Sequence, residues 1–377
     1  MYHAEITGWG MCVPPARLTN HDLATFLDTS DEWIVTRSGI RERRVSHVNF
    51  SELGLVAARH ALAAADVDPS ELDLVMLASL TNDSYCPNTA SIIQDALGAR
   101  KAAAIDINTA CTGFLYGLHL CRGLIATGQH RKILLIGGEF ITHYLNWSQR
   151  NSAILFGDAC GAAIIEPSEK PVGLLASRVG CEADAKSAIQ ITNFGSAYER
   201  LTDDFLYVEW NFDGREVFKR AVKSMGQACL DVLDEAGVAI EDIALMVPHQ
   251  ANKRILDALA TRLGIPEEKV VVNVDRYGNT SAGTIPVALT EALDGGRVKP
   301  GDYVLFAAFG AGLTWAAGLI RWGDRVTRIK TSDAELPPCD KTALELLAPH
   351  IERYRKHAER KNAAGKAENP EAETHLI

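Results

Sequence analysis

The sequence predicts an α/β protein built from two related halves. Three observations carry that prediction: near-continuous apolar strands alternate with helical segments, the chain repeats itself at a fixed offset, and its length exceeds what one small core needs. With Ala65 over Ala236, an offset of 171 residues, "ADVDPSELDLVMLAS" lies over "AGVAIEDIALMVPHQ". Each stretch ends a helix, turns and enters an apolar strand. At the same offset "KILLIGG" from Lys132 lies over "YVLFAAF" from Tyr303. A two-residue slip places "AIDINTACTG" over "NVDRYGNTSA", and a shorter offset places "ACGAAII" from Ala159 over "TWAAGLI" from Thr314. Several matches in one order mark a duplication, where one alone marks only two buried strands.

Along the chain, "DTSDEWIVTRSG" reads as a helix. Thr29 and Glu32 have capping-box spacing, Asp31 and Glu32 suit a first turn, and Gly39 ends it. "AAAIDINTACTGFLYGLHLCRG" runs an apolar strand into a polar turn and then a long apolar helix, with Cys111 at the helix start and Cys121 in its core. Amides and macrodipole at a helix start favour thiolate over thiol, although a small buried apolar side chain is the plainer reading of Cys111. His249 follows the strand "ALMVP"; Asn252 suits the cap of the next helix, in which Ile255, Leu259 and Leu263 share one face. Asn279 in "RYGNTSAG" suits a turn. Alone, His249 and Asn279 read equally well as structural. In a duplicated α/β unit, however, equivalent strand ends meet at one crevice, and all three side chains converge there. Beyond Trp322, "DKTALELLAPHIERYRKHAERKNAAGKAENPEAETHLI" begins as an amphipathic helix with Leu344, Leu347, Ile351 and Tyr354 on one seam. Pro349 interrupts it, and its last dozen residues are polar and expected to be disordered. Packing of this tail on the body is favoured over a dimer contact or a partner site. The expected division is 1–170, 171–323 and an extension 324–377.

Composition excludes some functions. The formal net charge of −10 disfavours nucleic-acid binding by overall attraction. No uncharged apolar run reaches the ~18 residues of a membrane span. The start lacks the pattern of a signal peptide, so a cytoplasmic protein with reduced thiols is expected. Eight cysteines are scattered with no CxxC pair, so no metal site is expected.

"DTSDEWIVTRSGIRERR", "ACTGFLYGL", "VPHQANKRIL", "DRYGNTSAGTIPVAL" and "FGAGLTWAAGLI" resemble the motifs of β-ketoacyl-acyl-carrier-protein synthase III, from about residue 3 to 322. The resemblance implies a thiolase-like duplicated fold layered αβαβα, and a Cys111, His249, Asn279 triad. Asparagine at 279 separates the chain from elongating ketosynthases, which carry a second histidine, and from hydroxymethylglutaryl-CoA synthases, which use a glutamate base. The implied reaction begins with acylation of Cys111 by acyl-CoA. Decarboxylative Claisen condensation with malonyl-acyl carrier protein follows, giving 3-ketoacyl-carrier protein, CO2 and CoA. CoA is then a substrate, and neither metal nor other cofactor is implied.

The backbone amides of Cys111 and Ala311 would form the oxyanion hole. The family usually has glycine at 311, and a methyl there is harmless only at negative φ. The resemblance places Thr29, Trp33, Arg37, Arg150 and Asn252 around CoA, with the adenine between Trp33 and Arg150; Trp33 as a core aromatic is the plainer reading of that residue alone. Cys86 and Phe309 fall at the acyl pocket. Many acetyl-selective relatives carry phenylalanine at the position of Cys86, contributed across a homodimer. The thiol leaves room for a primer longer than acetyl unless Tyr85 or Ile154 refills it. Arg215, Lys219 and Lys223 form a cationic stripe, followed by Lys253 and Arg254. The stripe suits carrier-protein docking, or simply a solvated face. Residues 184–210 depart from the family pattern and are expected over the substrate entrance. A specialised relative with another acyl donor or acceptor, and a catalytically silent subunit, are the competing readings.

Overall fold

The computed structural model describes residues 2–193, 196 and 207–368. The chain opens with β1 (His3–Cys12), β2 (Ala16–Thr19), α1 (Asn20–Ala24), α2 (Asp31–Ser38) and β3 (Glu42–Val45). The first half continues through α3 (Phe50–Ala65), β4 (Leu74–Ala78), α4 (Thr89–Leu97), β5 (Ala103–Ile107) and α5 (Gly113–Ala126). It closes with β6 (Ile133–Glu139), α6 (Arg150–Ala153) and β7 (Ala159–Ser168). Then come β8 (Gly173–Cys181), β9 (Ile189–Thr192), β10 (Glu209–Phe212), α7 (Gly214–Ala236), β11 (Ile243–Pro248) and α8 (Lys253–Leu263). The last elements are α9 (Val274–Tyr277), α10 (Thr284–Asp294), β12 (Tyr303–Gly310), β13 (Thr314–Arg321) and α11 (Ala343–Glu368).

One sheet runs β1-β7-β6-β4-β5 and the other β8-β13-β12-β11. In the first, β4 pairs parallel with β5 and β6, and β7 antiparallel with β1 and β6. The second repeats that order and sense without a full counterpart of β5, which is reduced to one bridge between Met246 and Val270. The apolar helices α5 and α10 lie between the sheets. Phe114, Leu118, Ile285 and Leu289 pack there against Leu135 and Ile165 of one sheet and Phe306 and Ile320 of the other. Helices α3 and α4 cover the outer face of the first sheet, and α7 and α8 that of the second. The result is the expected αβαβα layering. Close approach of α3 to β1 requires Gly8 and Gly10, where an added Cβ would lie 2.3 Å from the Ala61 carbonyl and 2.4 Å from that of Ala57.

The duplication extends to backbone detail. Helices α3 and α7 end at Ala65 and Ala236, each followed by a left-handed cap, Asp66 (φ 56°) and Gly237 (φ 64°). The expected two-residue slip is corrected by the turns before the central helices. Ala110–Thr112 leads into α5 and Ser281–Gly283 into α10 at the unslipped offset, with φ of 49° at Ala110 and 51° at Ser281. The counterpart of Asn279 is therefore Asn108, not the residue beside the cysteine. The slip arose because the second half winds 274–277 into α9 where the first half extends as β5.

Two local expectations are also corrected. Helix α2 is capped one residue later than expected, by Ser30, whose Oγ accepts from the Trp33 amide at 3.1 Å; Gly39 ends it at φ 77° as expected. Pro349 does not interrupt α11, which runs through it. The lost hydrogen bond is offset by packing, because the seam residues Leu347 and Tyr354 are buried against Leu18, Leu145, Trp147 and Trp210. The polar end, 369–377, lies outside the described residues.

Candidate active site

Cys111 sits in the turn between β5 and α5. The Ala110 amide donates to Asn108 Oδ1 at 3.1 Å, which holds Ala110 in the left-handed region and starts the turn. Thr112 Oγ1 bonds to Thr109 O at 2.7 Å and to Thr314 Oγ1 at 2.9 Å, tying the turn to the second half. Gly310 faces it so closely that a Cβ there would lie 3.0 Å from the Cys111 amide nitrogen.

His249 leaves β11 with its amide bonded to Ala307 O at 2.8 Å. Its Nδ1 lies 2.7 Å from Thr284 Oγ1, the first residue of α10. The Thr284 hydroxyl has a second acceptor, Ser281 O at 2.9 Å. That hydroxyl has a single proton: given to Ser281 O it makes Nδ1–H the donor to Oγ1, and given to Nδ1 it leaves Nε2–H free to donate. Burial pushes the imidazole down to about 3, so the ring is neutral at physiological pH. Asn279 is held by its backbone: its amide donates to Leu155 O at 2.8 Å, and its carbonyl accepts from the Gly157 amide at 3.1 Å. Its Oδ1 accepts from the Ser281 amide at 2.8 Å, leaving the Nδ2 protons for a ligand. Cys111, His249 and Asn279, distant in sequence, all line one cavity of about 990 Å³.

The thiol does not have the character expected of a helix-start cysteine. It is pushed up to about 12, first by burial; a hydrogen bond from Ser281 lowers it, and the nearby Glu139 charge raises it. Burial is the largest of the influences on it, and no cation is among the groups acting on it.

Ser281, Glu139 and Thr284 were not singled out from sequence. Glu139 ends β6 fully buried. It accepts from Thr81 Oγ1 at 2.5 Å, Ser79 Oγ at 3.0 Å, Ser281 Oγ at 3.0 Å and the Leu80 amide at 3.2 Å. Burial raises its carboxyl to about 7 against those bonds. The signal was available: "KILLIGGEF" ends a fully apolar strand on a carboxylate, and a buried carboxylate must be satisfied.

Trp33, Arg37 and Asn252 line the same cavity. The Arg37 guanidinium stands 4.2 Å and that of Arg150 4.5 Å from the Trp33 ring centroid. A base between Trp33 and Arg150 therefore needs Arg150 to swing away from Asp28, whose carbonyl accepts its Nη1 at 2.6 Å. Asn252 caps α8 as expected, with Oδ1 accepting from the Arg254 amide at 2.9 Å and Nδ2 donating to Arg37 O at 3.0 Å. Phe309, Gly310 and Ile154 line the cavity; Ala311 does not, although its φ is not positive. Thr29 lies off the lining, with Oγ1 buried and unbonded. Cys86 is exposed and away from the cavity within one chain.

Arg215 and Arg254 reach the cavity, and Lys219 and Lys223 continue the exposed stripe along α7. Lys253 is not part of a free cationic rim, since its Nζ is 2.8 Å from Asp257 and 3.5 Å from Glu267. From the divergent segment Ile189 lines the cavity, joined by Asn211 and Phe212 just after it, while 194, 195 and 197–206 lie outside the described residues. Among the described residues no cluster of three or more His, Cys, Asp or Glu is arranged to hold a metal, and no helix is long and apolar enough to cross a membrane.

A family model described as 3-oxoacyl-[acyl-carrier-protein (ACP)] synthase III matches residues 105–183, and its C-terminal companion matches 233–322. The chain is 51% identical over 355 residues to the beta-ketoacyl-[acyl-carrier-protein] synthase III 2 of Vibrio cholerae, covering 94% of this chain and 98% of that one. It is 46% identical over 325 residues to the beta-ketoacyl-[acyl-carrier-protein] synthase III of Roseiflexus castenholzii, covering 85% and 98%. The crystal structure of 3-oxoacyl-[acyl-carrier-protein] synthase III from Aquifex aeolicus VF5 superposes with a TM-score of 0.79 at 42% identity, over 85% of this chain and 100% of that one.

Proposed function

Since the chain belongs to the β-ketoacyl-acyl-carrier-protein synthase III family of condensing enzymes, we propose that Cys111, His249 and Asn279 are its catalytic residues, serving an acyl-CoA primer and malonyl-acyl carrier protein. The observation that carries this assignment is the convergence of the three side chains on one cavity.

In the first half-reaction the Cys111 sulfur attacks the thioester carbon. The carbon–sulfur bond to CoA breaks, and the thiol proton leaves with CoA as its free thiol. The amides of Cys111 and Ala311 hold the tetrahedral oxyanion. In the second, malonyl carrier loses CO2, and the electron pair of the broken bond becomes an enolate. The enolate oxygen accepts from His249 Nε2–H and Asn279 Nδ2–H, a role that suits a neutral imidazole. Its carbon attacks the acyl-Cys111 thioester, releasing 3-ketoacyl carrier and a thiolate that takes up a proton at once, given how weak an acid it is.

CoA lies along Trp33, Arg37, Arg150 and Asn252, its base stacking once Arg150 moves. An acidic carrier approaches over Arg215, Lys219, Lys223 and Arg254. The protein works as a cytoplasmic homodimer. Supporting that, β5 is the edge of its sheet with Ile105 45% exposed, and Tyr85 beside Cys86 is 90% exposed. Cys86 then reaches the partner's acyl pocket, leaving room for a primer longer than acetyl.

Mass spectrometry after mixing the protein with acyl-CoA tests the assignment. An acyl adduct on Cys111 that disappears in Cys111→Ser, and that malonyl-carrier protein discharges as 3-ketoacyl-carrier protein, supports it. No adduct with any acyl-CoA refutes it.

A further inference from the structure

The family model stops at Trp322, and 85% of this chain spans the whole Aquifex protein. Helix α11 lies beyond that common part, yet it packs against the strand that borders the active-site cavity. We propose that Tyr354 of α11 is a positioning residue for the acyl-CoA site, acting through residues 207–212; this rests on the condensing reading above.

The contacts run in one direction. The Tyr354 hydroxyl accepts from the Val208 amide at 3.0 Å and donates to the Val208 carbonyl at 3.3 Å, satisfying both backbone groups as a neighbouring strand would. One turn on, His357 stacks on Tyr207 with centroids 3.7 Å apart, and the Arg353 guanidinium stands 4.9 Å from the same ring. Lys361 Nζ reaches Glu209 at 3.2 Å. The anchored segment then enters β10. The Trp210 ring packs tilted at 46° against Phe156, centroids 4.8 Å apart, and Phe156 bridges to Asn279. Phe156, Asn211 and Phe212 face the cavity. The tail thus holds a wall that also adjoins the Asn279 backbone.

A loosened wall spends part of its time out of the binding geometry. That raises KM by the reciprocal of the competent fraction and leaves the chemical step of bound substrate unchanged. Tyr354→Phe in the full chain keeps the ring and removes both hydrogen bonds, so a shift of about five-fold is expected. The experiment follows two readouts on the full-length protein: amide exchange of the peptide containing Val208, and KM and kcat for Cys111 acylation by acyl-CoA. Lys356→Ala on the same helix, whose Nζ pairs with Glu352, is the control. The inference is supported by faster exchange with a raised KM and a kcat within about two-fold in Tyr354→Phe, a larger KM effect in Tyr354→Ala, and neither change in Lys356→Ala. It is overturned if exchange accelerates while KM stays unchanged, if kcat falls instead of KM rising, or if neither moves. An unaltered chain that forms no adduct overturns the condensing reading and this inference together; an adduct with identical kinetics in the variants overturns the inference alone.

Discussion

Alkylation of Cys111 by iodoacetamide should climb with pH and show no plateau below about pH 10. Burial raises the thiol from an ordinary 9.0 to about 12. A rise of this size corresponds to about 4 kcal/mol against the thiolate at 1.36 kcal/mol per unit. At pH 8 the thiolate fraction is then on the order of one in ten thousand, against roughly one in ten for an ordinary thiol. The second-order rate at pH 8 should be slower than that of a small free thiol by a factor on the order of a thousand. Glu139 supplies part of the penalty by its charge, and it ionises near pH 7. In Glu139→Gln the rate should rise by up to about ten-fold at pH 8–9 and stay unchanged at pH 5, where the native carboxyl is already neutral. Stopped-time alkylation followed by peptide mass spectrometry reads both. A plateau between pH 6 and 8, or equal rates in the two proteins at pH 9, would refute the reasoning and restore the helix-start activation expected from sequence.

Further expectations are open to measurement. His249 is held near 3 in the folded state against an ordinary 6.5. Only the unfolded chain binds that proton between those values, so His249 costs stability as pH falls from 6.5 toward 3, on the order of 5 kcal/mol in total. Glu139 acts with the opposite sign: its folded value of about 7 exceeds 4.5, so stability is lost as pH rises from 4.5 to 7, by about 3 kcal/mol. Denaturant titrations of His249→Gln and Glu139→Gln across pH 4–8 should remove one slope each; parallel curves for the variants and the native protein would contradict both assignments. Asn279→Ala should slow decarboxylation of malonyl carrier by about 100-fold or more and acylation far less, and equal losses in the two half-reactions would count against its donor role. Arg254→Glu with Lys219→Glu should lower kcat/KM for malonyl carrier about ten-fold at low salt and flatten its salt dependence, while an unchanged salt slope would move docking elsewhere. An acyl-CoA series should show its rate maximum beyond two carbons, each accommodated methylene adding ~0.8 kcal/mol of binding; a maximum at acetyl-CoA would remove the longer-primer reading.

Local chemistry accounts for what was legible in the chain. The apolar strands, the 171-residue offset, the caps at Asn252 and Gly39, and the seam of Leu347 and Tyr354 depend on side chains close in sequence, and all stand in the structure. The capping pair at Thr29 failed by one residue because Ser30, Thr29 and Asp28 compete for the same role, and only the path of the preceding loop chooses among them. Lys253 read as a docking cation although its main partner, Asp257 at 2.8 Å, lies four residues on along the same helix and was legible in the chain; Glu267 at 3.5 Å only adds to it.

Sequence by itself determined the duplication and the candidate residue types, since the repeat offset and the motifs that resemble the family single out Cys111, His249 and Asn279. Tertiary structure alone decided the protonation of those groups and the reach of the tail. The thiol's acidity depends on burial and on Glu139, 28 positions away. The contact of Tyr354 with Val208 joins segments 146 residues apart. Desolvation and long-range packing have no local signature, so neither could be read before the halves were folded together.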